Sequence, residues 1–563
     1  MEALSIILIV LAFVVVAAIL GLRDKLSSEK YLKNILIKNY GQPPKRSYKD
    51  GDMDHVTGYY KNHPADFQID DTTWNDLNMD GVFKRMNYSL SAAGEEYLYY
   101  MLRTPGQTDD FVSLEKQVQL LMEDETLRHK LQVIFKNIGR PSRYSIYDYL
   151  DYLEKGNAGR SNLVHYLLDI LLLASIALCF FNFGIGFICV LAVMAVNIIS
   201  YFRIKSDVDP YLVTYGYIMR VIKSIDRFSG IKNDEFKADI DELKDISREF
   251  NAFNAGSSIV MAPMGGGTGS GNPLDLLLDY IRMVTHIDLI KFNQMFREIM
   301  KKKDRLDKIL EITGRIDAET SIACFRASFE GKYVLPEFTG DEYKGKELCH
   351  PLISEPVAND ISVKSGVLLT GSNASGKSTF LKTCAINTIM AQSIHTVLGK
   401  EYVAPFYRIY SSMALKDDIF EGDSYYIVEI KSIKRILDAA SKEGNKVLCF
   451  VDEVLRGTNT VERIAASTQI LKRFADANVL CFAATHDIEL TALLHDDFEL
   501  YHFEGTVTDN DVKFDYRIKT GPATNRNAIK LLKVLGYEDS IVEDAQKMAD
   551  DFLSTGTWKK YDL

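Results

Sequence analysis

Residues 366–379 read GVLLTGSNASGKST, and this stretch decides the fold. Gly371-Ser372-Asn373-Ala374-Ser375-Gly376-Lys377-Ser378 fits the pattern GxxxxGK[ST] at every required position. The apolar residues 366–370 before it predict a buried strand, and residues 379–394 after it predict a helix. The chemistry needs that order. Glycines let backbone N–H groups curl around a phosphate, and the N-terminus of the helix adds its positive dipole end. Lys377 is placed to neutralise the β- and γ-phosphates of a nucleotide, and the Ser378 hydroxyl to ligate Mg²⁺. Gly371, Ser372, Asn373, Ala374, Ser375, Gly376, Lys377, Ser378 and Thr379 are therefore expected to hold ATP.

Working outward, residues 446–451 (KVLCFV) read as a second buried strand that ends in Asp452-Glu453. An apolar strand delivering two carboxylates to the phosphate edge is the expected partner of such a loop. Asp452 would hold Mg²⁺ through water, and Glu453 would orient or deprotonate the attacking water. A third strand, residues 479–484 (VLCFAA), ends at Thr485-His486-Asp487. His486 there is a candidate γ-phosphate sensor, although a histidine closing a strand is more often structural.

These residues carry a resemblance. TGSNASGKST at 370–379, DDIFEGDSYYIVEI at 417–430, DEVLRGTNT at 452–460 and ATHDIEL at 484–490 are similar, in order and spacing, to the ATPase domain of the MutS family. HPL at 350–352 and VAND at 357–360 resemble the start of that domain. FDYRIKTG at 514–521 and the helical residues after it resemble its C-terminal strand and dimerising helices. The resemblance covers about 345–550. NYSLSAAGEEYLYYMLRTP at 87–105 and LDKILEITGRIDAETSIACF at 306–325 resemble more weakly the family's helical core and lever.

The resemblance implies an α/β P-loop NTPase of the ABC type, using ATP and Mg²⁺ and working as a homodimer through the ATPase domain. Ser424 would reach in trans the γ-phosphate bound by the other subunit. Asn373 would contact the phosphates, and residues 457–460 would follow the dimer interface. Family members usually carry Arg then Ser-Thr where this chain has Asp423, Ser424 and Tyr425. An adenine-stacking aromatic is expected just before Val357, where Pro356 stands, so His502 becomes the candidate for facing the base. No domain with a Phe-x-Glu mismatch wedge precedes the helical core.

Outside that domain the chain is very uneven. Its 66 basic and 77 acidic residues give a net charge of −11, with 47% hydrophobic and 25% charged residues. These globular values exclude wholesale disorder, and any nucleic-acid surface must be a local patch. The seven cysteines form no CxxC pair, which argues against a zinc ribbon or disulfide framework. Residues 3–22 carry no formal charge and would make about 30 Å of helix, enough for a bilayer core. Arg23, Lys25, Lys30 and Lys33 follow, placing the rest of the chain in the cytoplasm by the positive-inside rule. Residues 163–202 are apolar except for Asp169, with a turn at Asn182-Phe183-Gly184 and basic residues beyond both ends. They read as a hairpin of two short membrane helices, the alternative being a buried helical pair in a soluble core.

The expected organisation is a transmembrane anchor (1–25), a juxtamembrane linker with some extended structure (26–75), and a first helical part (76–162). The membrane hairpin (163–202), a second helical part (203–344) and the ATPase domain (345–563) follow. Residues 286–316 are expected to form one long amphipathic helix, and the glycine-rich 261–273 a loop. About three transmembrane helices would make this a multi-pass protein of the cell membrane. Two outputs stay open: binding of mismatched or branched DNA, or an ATP-driven membrane switch acting on a protein partner without DNA. The acidic charge and missing wedge favour the second, the resemblance the first.

Overall fold

The computed structural model describes residues 30–49, 51–141, 144–155, 161–254, 273–372, 375–413, 425–442, 444, 446–477, 479–508, 511–523, 528–534 and 536–558. The apolar run at 3–22, the stretch 261–272, Asn373, Ala374 and Ser424 lie outside the described residues. The chain divides into two compact units. One holds Met1–Pro64, Asn87–Tyr100 and Leu114–Ser328; the other holds Ala65–Met86, Met101–Ser113 and Phe329–Leu563.

The first unit is helical, and buried carboxylates organise it. Helix α1 (Ala92–Arg103), whose first nine residues belong to this unit, places Leu98 at 0% exposure, as the apolar spacing predicts. Its free N-terminal groups are met from a distant element, α4 (Lys303–Ala327). Asp317 on α4 accepts from Leu90 N (3.1 Å), Ser91 N (2.8 Å) and Ser91 Oγ (2.6 Å). Burial pushes the Asp317 carboxyl up to about 7 in spite of these bonds. Gly94 makes the approach possible, because a Cβ there would lie 2.3 Å from Asp317 Oδ2. Glu95 behaves oppositely. Burial opposes its charge, but His55 at 2.6 Å and Arg140, whose Nε is 2.9 Å away, hold the carboxyl well below its usual range.

Three expectations change in this unit. Of the expected linker 26–75, the described residues between 30 and 64 are folded: a helix occupies 30–39, then Asp54–Thr57 and Gly58–Asn62 form short helical turns. Val56 and Tyr59 are buried, and the Tyr59 ring stacks on His63 at 3.8 Å. Second, residues 286–316 are not one helix. Ile287–Lys301 ends at Lys302 (φ −122°, ψ 29°), and α4 begins at Lys303. The Lys302 ammonium donates to the Glu249 carbonyl at 2.6 Å and to Glu298 at 2.8 Å, which ties the break in place.

Third, the hairpin is asymmetric. Helices α2 (Leu163–Phe181) and α3 (Phe183–Phe228) are joined at Asn182 alone, whose side chain accepts from Ile185 N at 3.2 Å. At 46 residues α3 is about 69 Å long, well past residue 202. Nothing breaks it there, and its later turns bury Tyr217, Ile218, Val221 and Ile225. The apolar stretches Leu163–Phe181 and Phe183–Ser206 have mean hydropathies of 2.2 and 2.4, yet only 17% and 11% of them is buried. Phe180 and Phe181 are 88% and 89% exposed. A pair packed inside a soluble core would show the reverse.

The second unit is α/β. Its strands are β1 (Tyr343–Leu348), β2 (Asn359–Val363), β3 (Gly366–Thr370), β4 (Glu401–Val403), β5 (Arg408–Ser412), β6 (Val447–Asp452), β7 (Val479–Thr485), β8 (Phe498–His502), β9 (Gly505–Thr508), β10 (Asp511–Phe514) and β11 (Lys519–Thr520). The main sheet runs β11-β8-β3-β7-β6-β5, parallel from β8 to β5 with β11 antiparallel at one edge. The smaller sheet β2-β1-β4 is antiparallel. The three strands read from sequence, β3, β6 and β7, are buried almost end to end. Continuous apolar runs are what a parallel sheet covered on both faces requires. Edge strand β5 is tied down by the helix Asp71–Asp76, which spans the expected end of the linker: Ser411 Oγ donates to Asp76 Oδ2 at 2.7 Å, and Ser411 N to Thr73 Oγ1 at 3.1 Å.

Candidate functional site

The parallel order places the carboxyl ends of β3, β7 and β6 side by side, where ligands bind in open α/β sheets. After β3 the chain turns into α5 (Lys377–Ile394) through the glycine loop. Two glycines are obligatory there. Gly371 has φ +141°, and a Cβ on it would meet Phe503 O at 2.4 Å; Gly376 has φ +110° directly before the helix. Lys377 Nζ donates to the carbonyls of Gly371 (2.7 Å) and Ser372 (3.0 Å). Burial brings this ammonium down to about 8, against the pull of Asp452 and Glu453. The Ser375 hydroxyl is fully buried in the loop, with no hydrogen-bond partner among the described residues.

At the end of β6, Asp452 accepts a hydrogen bond from Ser378 Oγ at 2.5 Å. This joins a hydroxyl and a carboxylate, hard oxygen donors of the type that hold Mg²⁺. Glu453 follows in the left-handed region (φ +63°), as does Leu455 (φ +61°), placements that cost a non-glycine residue about 1–3 kcal/mol each. Two bonds stabilise that turn: Glu453 N donates to Ala484 O on β7 at 2.9 Å, and Leu455 N to Glu429 Oε1 at 2.6 Å. Glu429 comes from α6 (Tyr425–Ala440), the helix that directly follows Ser424.

The Glu453 carboxylate meets His486 Nε2 at 2.9 Å and Arg456 Nε at 2.5 Å. Burial alone would raise its pKa, but the His486 bond and the charges of Arg456 and Lys377 hold it below the usual carboxylate range. Because that carboxylate only accepts, His486 Nε2 carries the proton and donates. The 3.5 Å separation between the same nitrogen and Lys377 Nζ is then a proximity rather than a hydrogen bond. The loop bearing His486 is fixed by Asp487, which pairs with Arg463 of helix α7 (Thr460–Asp476) at 2.6 and 2.8 Å.

Lys377, Ser378, Asp452, Glu453 and His486 therefore lie together. His502 does not join them. It sits on β8 with Nδ1 2.8 Å from Gly521 O, and it does not line the cavity beside the loop. That cavity, of about 270 Å³, is lined by Pro356, Val357, Gly376, Thr379, Phe503 and Tyr516 among others. Tyr516 and Phe503 are the aromatic surfaces that sequence reasoning sought near position 356. Tyr516 lay inside a segment read as a strand, and only the return of the chain after β10 brings it to Gly376. Glu429 and Arg463 were missed as well, since each acts across elements distant in sequence, and so was Arg456, whose contact with Glu453 three residues away depends on the left-handed turn between them.

A family model described as MutS domain V matches residues 367–553. Over those residues the chain is similar to the MutS family. A DNA mismatch repair protein MutS of Thermosipho melanesiensis is 28% identical over 270 residues, covering 46% of this chain and 32% of that protein. The DNA mismatch repair protein MutS 2 of Haloarcula marismortui is 27% identical, over 45% of this chain and 30% of its own length. The MutS protein homolog 4 of Mus musculus is 31% identical, over 47% and 29%. The matches thus span about a third of the length of these relatives. Every site residue described above falls inside the MutS domain V match except Pro356 and Val357.

Proposed function

We propose that the chain is a membrane-anchored, Mg²⁺-dependent ATPase that works as a homodimer through its MutS domain V. The observation that carries this reading is the cluster Lys377, Ser378, Asp452, Glu453 and His486 at the ends of three adjacent parallel strands. Backbone N–H groups of the loop, Lys377 and the orphaned Ser375 hydroxyl bind the phosphates of ATP. Ser378 and Asp452 hold Mg²⁺, which when bound neutralises phosphate charge. Glu453 orients and deprotonates the attacking water, and His486 holds that carboxylate in place. Tyr516 offers a face for the base. Ser424, outside the described residues, is proposed to complete the partner's site in trans. The last helices support a dimer: Asp539–Thr555 buries no residue, and Ile541 and Leu553 are 48% and 53% exposed. Exposed apolar faces on α2 and α3 support the membrane part.

The output is proposed to be DNA binding, on the strength of the relatives' names as mismatch repair proteins. The exposed apolar hairpin favours a second reading, in which ATP-driven movement is passed to a membrane or protein partner without DNA. Binding of the detergent-solubilised chain to duplex, mismatched and branched DNA separates the two. Salt-dependent binding at about 50 mM salt supports the first, and its absence from all three DNAs removes it. Lys377→Ala should weaken ATP binding at least tenfold; unchanged affinity would contradict the phosphate-loop assignment.

A further inference from the structure

The helical unit carries a cationic groove that the ATPase reading does not use. Three elements converge on it: the helix at 30–39, the helix Glu125–Ile138 and the last turn of α3. The groove has a volume of about 680 Å³, and its rim is formed by Lys30, Lys33, Lys130 and Arg227. No carboxylate lines it, and none of the four cations makes an ion pair among the described residues. Ile134 and Ile231, 5% and 8% exposed, give it an apolar floor. His129, also lining the groove, is 4% exposed and its Nε2 has no hydrogen-bond partner among the described residues. The nearest acid, Glu125, stands 3.6 Å from the other ring nitrogen and is itself 59% exposed. Burial, with the nearby charge of Arg128, keeps this imidazole below its ordinary pKa.

Four cations gathered from three elements, unpaired among the described residues, oppose the chain's net charge of −11. Like charges at close quarters repel, and a bound polyanion removes that repulsion. We propose that this groove is a binding site for phosphate groups, separate from the nucleotide loop. The phosphate comes either from a soluble polyphosphate or from an anionic lipid headgroup. Both sources present the same phosphate chemistry to the four cations, and the arms of the test tell them apart.

The test uses the full chain in phosphatidylcholine nanodiscs, with Lys377→Ala silencing the nucleotide loop and sodium tripolyphosphate as calorimetric probe. Tripolyphosphate should bind, with affinity that falls as salt rises, and Lys33→Glu/Lys130→Glu should weaken it at least tenfold. Both lysines are exposed, so the fold should tolerate reversal, which an unchanged Tm checks. In nanodiscs containing phosphatidylserine, persistence of tripolyphosphate binding identifies the soluble source, and competition by the anionic lipid identifies the headgroup. Absence of probe binding, or equal affinity in the double variant, overturns the proposal. ATP turnover by Lys33→Glu/Lys130→Glu with Lys377 intact should be unchanged, which separates failure of the groove from failure of the ATPase reading.

Discussion

Lys377 is held by two carbonyls in a site that already lowers its pKa to about 8. Phosphate oxygens would exchange those dipoles for full charges and raise that value, so binding above pH 8 must take up a proton. The sign follows directly: ATP affinity should be flat below pH 8 and fall by up to tenfold per unit above it. Calorimetry in buffers of different ionisation enthalpy measures the uptake, and a pH-independent affinity up to pH 10 would contradict it. Tyr516, beside Gly376, should contribute stacking energy of about 1 kcal/mol. Tyr516→Ala is therefore expected to raise the ATP Kd about fivefold with turnover at saturation preserved. An unchanged Kd would place the base elsewhere.

At the scale of elements, the junction of α1 and α4 makes a prediction about stability. The folded Asp317 pKa of about 7 lies above the unfolded value of 3.8. The folded state then binds the extra proton between those values, so this carboxyl's contribution to stability is lost as pH rises from about 4 to 7. Three units correspond to about 4 kcal/mol at most. Asp317→Asn should flatten the Tm-against-pH curve across that window; an unaltered slope would show that the group is not the source. Gly94→Ala should cost several kcal/mol because its Cβ enters the space of Asp317.

The same scale explains what was legible in sequence. Strands β3, β6 and β7 declared themselves because a doubly covered parallel sheet needs unbroken apolar runs, and the glycine loop because its φ values exclude other residues. The break at Lys302 was illegible because the apolar period continues through it, and tertiary bonds to Glu249 and Glu298 set it. The segment 26–75 was illegible because its described turns after residue 50 run only four to six residues, too short for a helical period to register. Glu429, Arg456 and Tyr516 acquire roles only once the chain has folded.

For the whole molecule, the chain combines two apolar helices with exposed surfaces and a segment that matches MutS domain V. Exposed apolar area on this scale needs a bilayer or a partner. The chain should stay in the membrane pellet after alkaline carbonate extraction, and release into the supernatant would remove the membrane reading. The central claim is that Glu453, gripped by His486 and Arg456, is the group that activates water. The most direct test is Mg²⁺-dependent ATP turnover of Glu453→Gln, with nucleotide binding measured on the same sample. The account predicts ATP binding within about twofold of the unsubstituted chain and turnover reduced at least a hundredfold; retained hydrolysis would contradict it.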